Sequence, residues 1–274
     1  MNTTNEIGAN GANVKRNAGS AFAGGAGIGI LGGLIGLGGA EFRLPLLISV
    51  LQFAALEAVI MNKAMSLAVV GSALPFRATA VPLAEIAAHW MVIINLLAGS
   101  LAGAWIGAGW ATKLHSSTLY RIIAILLVII AALLLAGHDG SATGRPLLGG
   151  LAQMIAGLVS GFGIGAVSSY MGVAGGEFLI PTLVLLFGCD IKLAGSLSLA
   201  VSLPTMLMGF MRYSQDRSFA VLSRNKIFVS VMVGGSIIGS FIGAQLLGIV
   251  PSAFLLPLLA AILLISAVKV WRHN

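Results

Sequence analysis

The sequence predicts an all-α integral membrane protein built from two inverted-topology repeats, each holding a glycine-rich broken or re-entrant helix pair plus three transmembrane helices. Three observations carry that expectation. The first is composition: 58% of residues are hydrophobic and 8% charged, with a mean hydropathy of +1.03, more apolar surface than a soluble domain of this size can hide. The second is run length. Ile86 to Ala111, Leu119 to Gly137, Leu147 to Tyr170, Ile227 to Val250 and Ala253 to Val270 each reach the roughly 17–25 apolar residues that cross a hydrocarbon core. The third is internal repetition.

An offset of about 136 residues lays GLGGAEFRLP (Gly36 to Pro45) over GVAGGEFLIP (Gly172 to Pro181), the kind of self-similarity that marks a duplicated unit. Gly36, Gly39, Glu41, Phe42 and Pro45 recur as Gly172, Gly175, Glu177, Phe178 and Pro181. The same offset sets GSLAGAWIGA (Gly99 to Ala108) over GSIIGSFIGA (Gly235 to Ala244), and after a short gap Ser66 to Val69 matches Ser198 to Val201. Three ordered matches divide the chain into a tail at 1–19, a first repeat at 20–137, a linker at 138–146 and a second repeat at 147–274.

The first repeat reads as five apolar segments: Ala21 to Gly36, Phe42 to Leu56, Ala64 to Val81, Ile86 to Ala111 and Leu119 to Gly137. The second reads as Leu147 to Tyr170, Phe178 to Phe187, Leu193 to Met211, Ile227 to Val250 and Ala253 to Val270. Segments two and seven are short. At about 1.5 Å per residue they span only part of a core about 30 Å thick, as half-helices returning from a break would. The tail is polar, carries Lys15 and Arg16, and lacks the pattern of a cleaved signal peptide.

Positive charge sets the orientation. With a cytoplasmic tail, the cytoplasmic loops hold Lys15, Arg16, Lys63, Lys113, Arg121, Arg212, Arg217, Arg224, Lys226, Lys269 and Arg272; the other side and the breaks hold Arg43, Arg77, Arg145 and Lys192. That bias is the positive-inside pattern, and it places both termini in the cytoplasm of a multi-pass membrane protein. Each half makes an odd number of net crossings, so the halves are expected to be inverted, as in alternating-access transporters with broken helices.

Candidate chemistry concentrates at the two breaks. Dense glycine permits left-handed backbone and close approach, and a proline near the start of the following run suits a first helical turn. Both breaks should therefore present helix N-termini, whose free amides and dipole favour an anion. The expected substrate-binding residues are Gly36, Gly38, Gly39, Ala40, Glu41, Arg43 and Ser66 in the first half, and Gly172, Gly175, Gly176, Glu177, Ser196 and Ser198 in the second; Pro45 and Pro181 are structural. Glu41 and Glu177 either cap their helices or carry coupling protons. Arg43 breaks the repeat, its counterpart being Leu179. It either snorkels to the interface or pairs with Glu41 or a substrate anion. The serines either lend hydroxyls to an oxyanion or bond the preceding turn of their own helices. Gly99, Gly103 and Gly107, with Gly235, Gly239 and Gly243, have the four-residue spacing of helix packing.

The paired glycine turns ending in proline, the Gly-Ser-Leu-Ser-Leu-Ala-Val stretch from Gly195 and the Gly-Gly-Ser element from Gly234 resemble the TauE/SafE family of sulfite and organosulfonate exporters. The likeness runs from about Ala21 onward. It implies a bacterial inner-membrane permease for small sulfur-containing anions, with the family's glycine motifs falling on Gly36, Gly38, Gly39 and Pro45, then Gly172, Gly175, Gly176 and Pro181. Ala40, Glu41 and Arg43 depart from the family's longer glycine run.

Other classes fare less well. A single cysteine, Cys189, allows neither a disulfide framework nor a Cys-based metal cluster. No paired Asp within spans, His-Glu-x-x-His or Gly-x-Ser-Gly occurs, which argues against an intramembrane enzyme. His89, His115, His138 and His273 fall near span ends or in loops. The expected partners are a small anion, the lipid bilayer and a proton or other coupling ion, with no cofactor and no nucleic acid; a different carboxylate or organosulfur cargo, or a non-transporting assembly subunit, are the alternatives.

Overall fold

A computed structural model of the chain describes residues 18–35, 39–77, 81–136, 146–189, 191–246, 261 and 264–272. Residues 1–17 of the tail, Gly36 and Gly38 of the first break, 138–145 of the linker and much of the last apolar segment lie outside the described residues.

Within them every regular element is helical. The first half runs α1 (Ala18–Ile35), α2 (Ala40–Pro45) continuing into a π-helical turn (Leu46–Val50), α3 (Ala55–Arg77), α4 (Leu83–Ala88), α5 (Trp90–Ala111) and α6 (Ser116–Ala136). The second runs α7 (Gly150–Met171), α8 (Gly176–Phe187), α9 (Ile191–Tyr213), a 3-10 turn (Arg217–Phe219), α10 (Ala220–Arg224) and α11 (Lys226–Leu246), with residues 264–271 helical again. Five stretches are long and apolar enough to cross a membrane: Ala55–Ser72, Trp90–Ala111, Gly150–Met171, Leu193–Tyr213 and Lys226–Gly243.

The elements differ from the expectation in several places, and the second segment ends at Val50 rather than Leu56, which belongs to α3. The third segment begins at Ala55 rather than Ala64, because Asn62 and Lys63, which fall between the expected segments, are buried inside the helix. The fourth is interrupted at His89, which ends α4 and precedes α5, its Nδ1 lying 2.9 Å from the Glu85 carbonyl oxygen. Pro45 and Pro181 each occupy the sixth helical position of α2 and α8 rather than the first turn. A proline there has no N–H for the carbonyl four residues back, which in the two helices belongs to Glu41 and Glu177.

Two helix pairs knit the halves together: α1 lies along α11, and α5 along α7. The glycines make this possible. A Cβ on Gly99, Gly103 or Gly107 would land on backbone of Leu158, Phe162 or Ala166, and one on Gly235, Gly239 or Gly243 on backbone of Phe22, Ala26 or Ile30. Contact positions ascend together in both pairs, so each pair is parallel. The pairs also exchange under the repeat: the first segment of either half packs on the fourth segment of the other.

Between these pairs sit α3 and α9, the segments that follow each break. Their apolar windows are 61% and 67% buried, against 22–39% for the other three spans, so they form the centre. Large apolar side chains such as Met91, Ile94, Leu151, Val159, Ile238 and Phe241 are exposed on α5, α7 and α11, which suits a surface facing lipid tails. Gly103→Leu is expected to lower the thermal midpoint in detergent by at least the about 1–3 kcal/mol of core overpacking. Gly163→Leu on α7, where nothing lies within 4 Å of an added Cβ, should leave it unchanged.

Candidate functional site

Each break is a left-handed glycine leading into a short helix. Gly39 has φ +72° and precedes α2; Gly175 has φ +81° and precedes α8. The amides of Phe42 and Arg43 turn back onto Gly39 O, both at 3.2 Å, and those of Phe178 and Leu179 onto Gly175 O at 3.1 and 2.9 Å. The amides one and two residues into each helix therefore have no acceptor within it. Both tips rest on the helix before them at equivalent places: a Cβ on Gly39 would lie 2.6 Å from the Ile28 carbonyl oxygen, and one on Gly175 3.1 Å from Ile164 Cγ2. The short segments are half-length, eleven residues from Ala40 to Val50 and twelve in α8, about 16–18 Å at the helical rise.

One side chain ties the breaks together. Asn62 of α3 donates from Nδ2 to Ala40 O at the first tip and to Met171 O at the end of α7, both at 3.0 Å. Gly172, with φ +65°, lies so close to α3 that an added Cβ would meet the Val59 carbonyl oxygen. Gly39, Ala40, Gly172, Gly175 and Gly176 are all buried.

Arg43 does not reach the interface. It is 0% exposed and donates to Ser66 Oγ at 3.2 Å, Ser236 Oγ at 3.2 Å and Asn62 Oδ1 at 3.5 Å, while its Nε has no partner. These are long contacts to neutral acceptors. Among the described residues no carboxylate lies within ion-pair distance of it, Glu41 included. A buried guanidinium with no counter-ion costs several kcal/mol, and a bidentate oxyanion is the ligand its geometry fits best.

The acids do not cap. Glu41 and Glu177 are 1% and 6% exposed, and none of their four carboxyl oxygens meets a hydrogen-bond donor from another described residue. Such groups lower stability without local compensation, as functional groups do. Glu177→Met is accordingly expected to raise unfolding stability by about 1–3 kcal/mol; a loss of stability on denaturant unfolding would instead mark the acid as structural.

The serines divide. Ser66 meets Arg43 as an oxyanion-directed hydroxyl would, but Ser198 bonds Gly195 O of its own turn at 2.8 Å, and Ser196 is buried on α9. Sequence reasoning missed three residues. Ser236 reaches Arg43 from α11 of the other half, a contact across 193 residues with no local signal. Asn62 shares a helical face with Ser66 four residues on, a spacing that becomes visible once α3 is extended back. Lys63, expected in a cytoplasmic loop, is 0% exposed and donates to Ser168 O at 3.1 Å; its helix carries it into the core.

A described groove of about 380 Å³ lies elsewhere, between α6 and residues 264–272, lined by apolar side chains with Arg272 at its edge. The described residues of the two breaks are buried.

Apolar spans, lipid-suited faces and buried charge at paired breaks define a multi-pass membrane protein with a polar centre. Residues 12–270 match the family described as Sulfite exporter TauE/SafE; no curated protein and no solved structure matches the chain. The chain belongs to the sulfite exporter TauE/SafE family.

Proposed function

We propose that this protein is a secondary transporter of a small anion, sulfite or an organosulfonate, working by alternating access in the bacterial inner membrane around the two glycine-rich helix starts. The observation that carries this reading is Arg43: fully buried, bonded only to neutral acceptors and without a carboxylate partner among the described residues. An oxyanion would supply its missing charge, Ser66 and Ser236 the flanking hydroxyls, and the first amides of α2 and α8 further donors.

Inversion of the halves is supported by helix direction. Parallel packing of α1 on α11 and of α5 on α7 links the first segment of one half to the fourth of the other. Segments joined by short loops alternate in direction within a half, so the two first segments run oppositely. Rocking of one half against the other about these breaks would open the centre to either side in turn. An assembly subunit would share the tight packing, but it gives no reason to bury Glu41, Arg43, Lys63 and Glu177 without an ion pair among them.

The test is ligand-dependent stability in detergent. Sulfite, taurine or sulfoacetate at a hundred times its Kd should stabilise the native state by about 2.7 kcal/mol. Stabilisation by a carboxylate such as acetate and by none of the sulfur oxyanions would overturn the sulfur assignment.

A further inference from the structure

The left-handed Gly172 closes the buried end of α7, the amides of Gly172 and Val173 donating to Ser169 O and Ser168 O at 3.3 and 3.1 Å. Three of the last carbonyls also receive side chains from two other helices. Lys63 Nζ donates to Ser168 O at 3.1 Å, Tyr213 Oη to Ser169 O at 2.7 Å and Asn62 Nδ2 to Met171 O at 3.0 Å. Ser168 holds the turn from inside, its Oγ donating to Val173 O at 2.7 Å. The negative end of a broken helix, pointing at the centre of a transporter, is where a coupling metal cation is coordinated by freed carbonyls. Here an ammonium stands in that place. Gly209 makes room for it: a Cβ there would lie 3.2 Å from Lys63 Nζ and 3.0 Å from Ser169 Oγ.

The surroundings of Lys63 give it no other fixed charge. From α7 it faces Ser168 and Ser169, the latter donating to Ala104 O of α5 at 3.0 Å. From α9 it faces Gly209 and, through Ser169, the Tyr213 hydroxyl. Arg212, one residue before Tyr213, is turned to the Trp105 ring, and Glu57 on its own helix pairs outward with Arg224 at 3.0 Å. Among the described residues no carboxylate reaches ion-pair distance of Lys63. The equivalent position in the second half is Gly195, so the device exists at one break only.

We propose that Lys63 is a tethered coupling cation: its ammonium occupies the cation-binding end of α7, and the transport cycle runs on gain and loss of one proton at Nζ rather than on a bound sodium ion. With the proton in place, Lys63 pins α3 to α7 and holds the second break. Release of the proton to water, leaving the neutral amine, removes the charge that the carbonyls attract and frees the break to move. This deepens the anion-transporter reading and rests on it.

The test uses purified full-length protein in proteoliposomes with labelled sulfite, and thermal stability in detergent with unlabelled sulfite. Wild type is expected to accumulate sulfite under an imposed pH gradient in sodium-free buffer. Lys63→Gln should still be stabilised by sulfite and still equilibrate it, yet lose at least tenfold of the gradient-driven accumulation. In Lys63→Ala, added methylammonium, which carries a titratable proton, should restore part of the loss by filling the vacated end, and sodium should not. A wild type whose accumulation requires sodium, or a Lys63→Gln protein that accumulates as wild type does, overturns the proposal. If sulfite and the sulfonates stabilise neither protein, the anion reading itself fails and the coupling role falls with it, a result distinct from lost coupling in a protein that still binds.

Discussion

Arg43→Leu is expected to abolish anion binding and flux while leaving the protein folded. Leucine is what the second half carries at the matching position, Leu179, which is itself buried in the core, so the substitution installs a residue that the repeat already accommodates. Removing an unpaired buried charge relieves a desolvation cost, and the neutral partners Asn62, Ser66 and Ser236 lose only long contacts worth about 1 kcal/mol each. Binding loses far more. Taking away the cation of a buried charge pair costs about 2–5 kcal/mol, roughly a 30-fold to several-thousand-fold fall in affinity. Titration of sulfite against both proteins, beside their thermal midpoints, reads the two effects separately. A variant that binds sulfite as wild type does would remove Arg43 from the site.

Gly39→Ala should be the more damaging of two equivalent substitutions. Left-handed backbone costs a non-glycine residue about 1–2 kcal/mol, and that applies to Gly39 and Gly175 alike. Beyond it, the new methyl at Gly39 meets a backbone carbonyl, Ile28 O at 2.6 Å, whereas at Gly175 it meets a side-chain methyl, Ile164 Cγ2 at 3.1 Å. A side chain gives way by a rotation of a few degrees; a helix carbonyl does not without moving its helix. Gly175→Ala is therefore expected to lose stability close to the backbone figure and keep measurable flux. Gly39→Ala should lose clearly more stability and show no flux. Equal midpoints for the two variants would contradict the packing described for the first break.

What could be read from sequence was what is written locally or written twice. The paired breaks were legible because Gly39 and Gly175, Glu41 and Glu177 recur at one offset, and a left-handed residue directly before a helix favours glycine. Packing glycines at Gly99, Gly103 and Gly107 were legible from their spacing, since small residues every fourth position line one helical face. Arg43 was legible as an exception, its placement was not: snorkelling and burial differ only in what surrounds the side chain. Lys63 was misread because a polar residue between apolar runs looks like a loop, and Asn62 was passed over; only the tertiary neighbours of α3, Ser168 and Met171 above all, show that they serve a helix end. Ser236 could not be found at all by local reasoning, for it meets Arg43 through the exchange of helices between halves. The prolines were placed one turn early, since a helix start cannot be fixed by the proline when glycines before it leave the first turn open.

The measurement that bears most directly on the account is a structure determined with selenite, the heavier analogue of sulfite, located by its own scattering. The anion should stand against the Arg43 guanidinium, within hydrogen-bonding distance of Ser66 or Ser236 and of the leading amides of α2 or α8. Selenite bound anywhere else, with Arg43 still resting on its three neutral partners, would contradict the site.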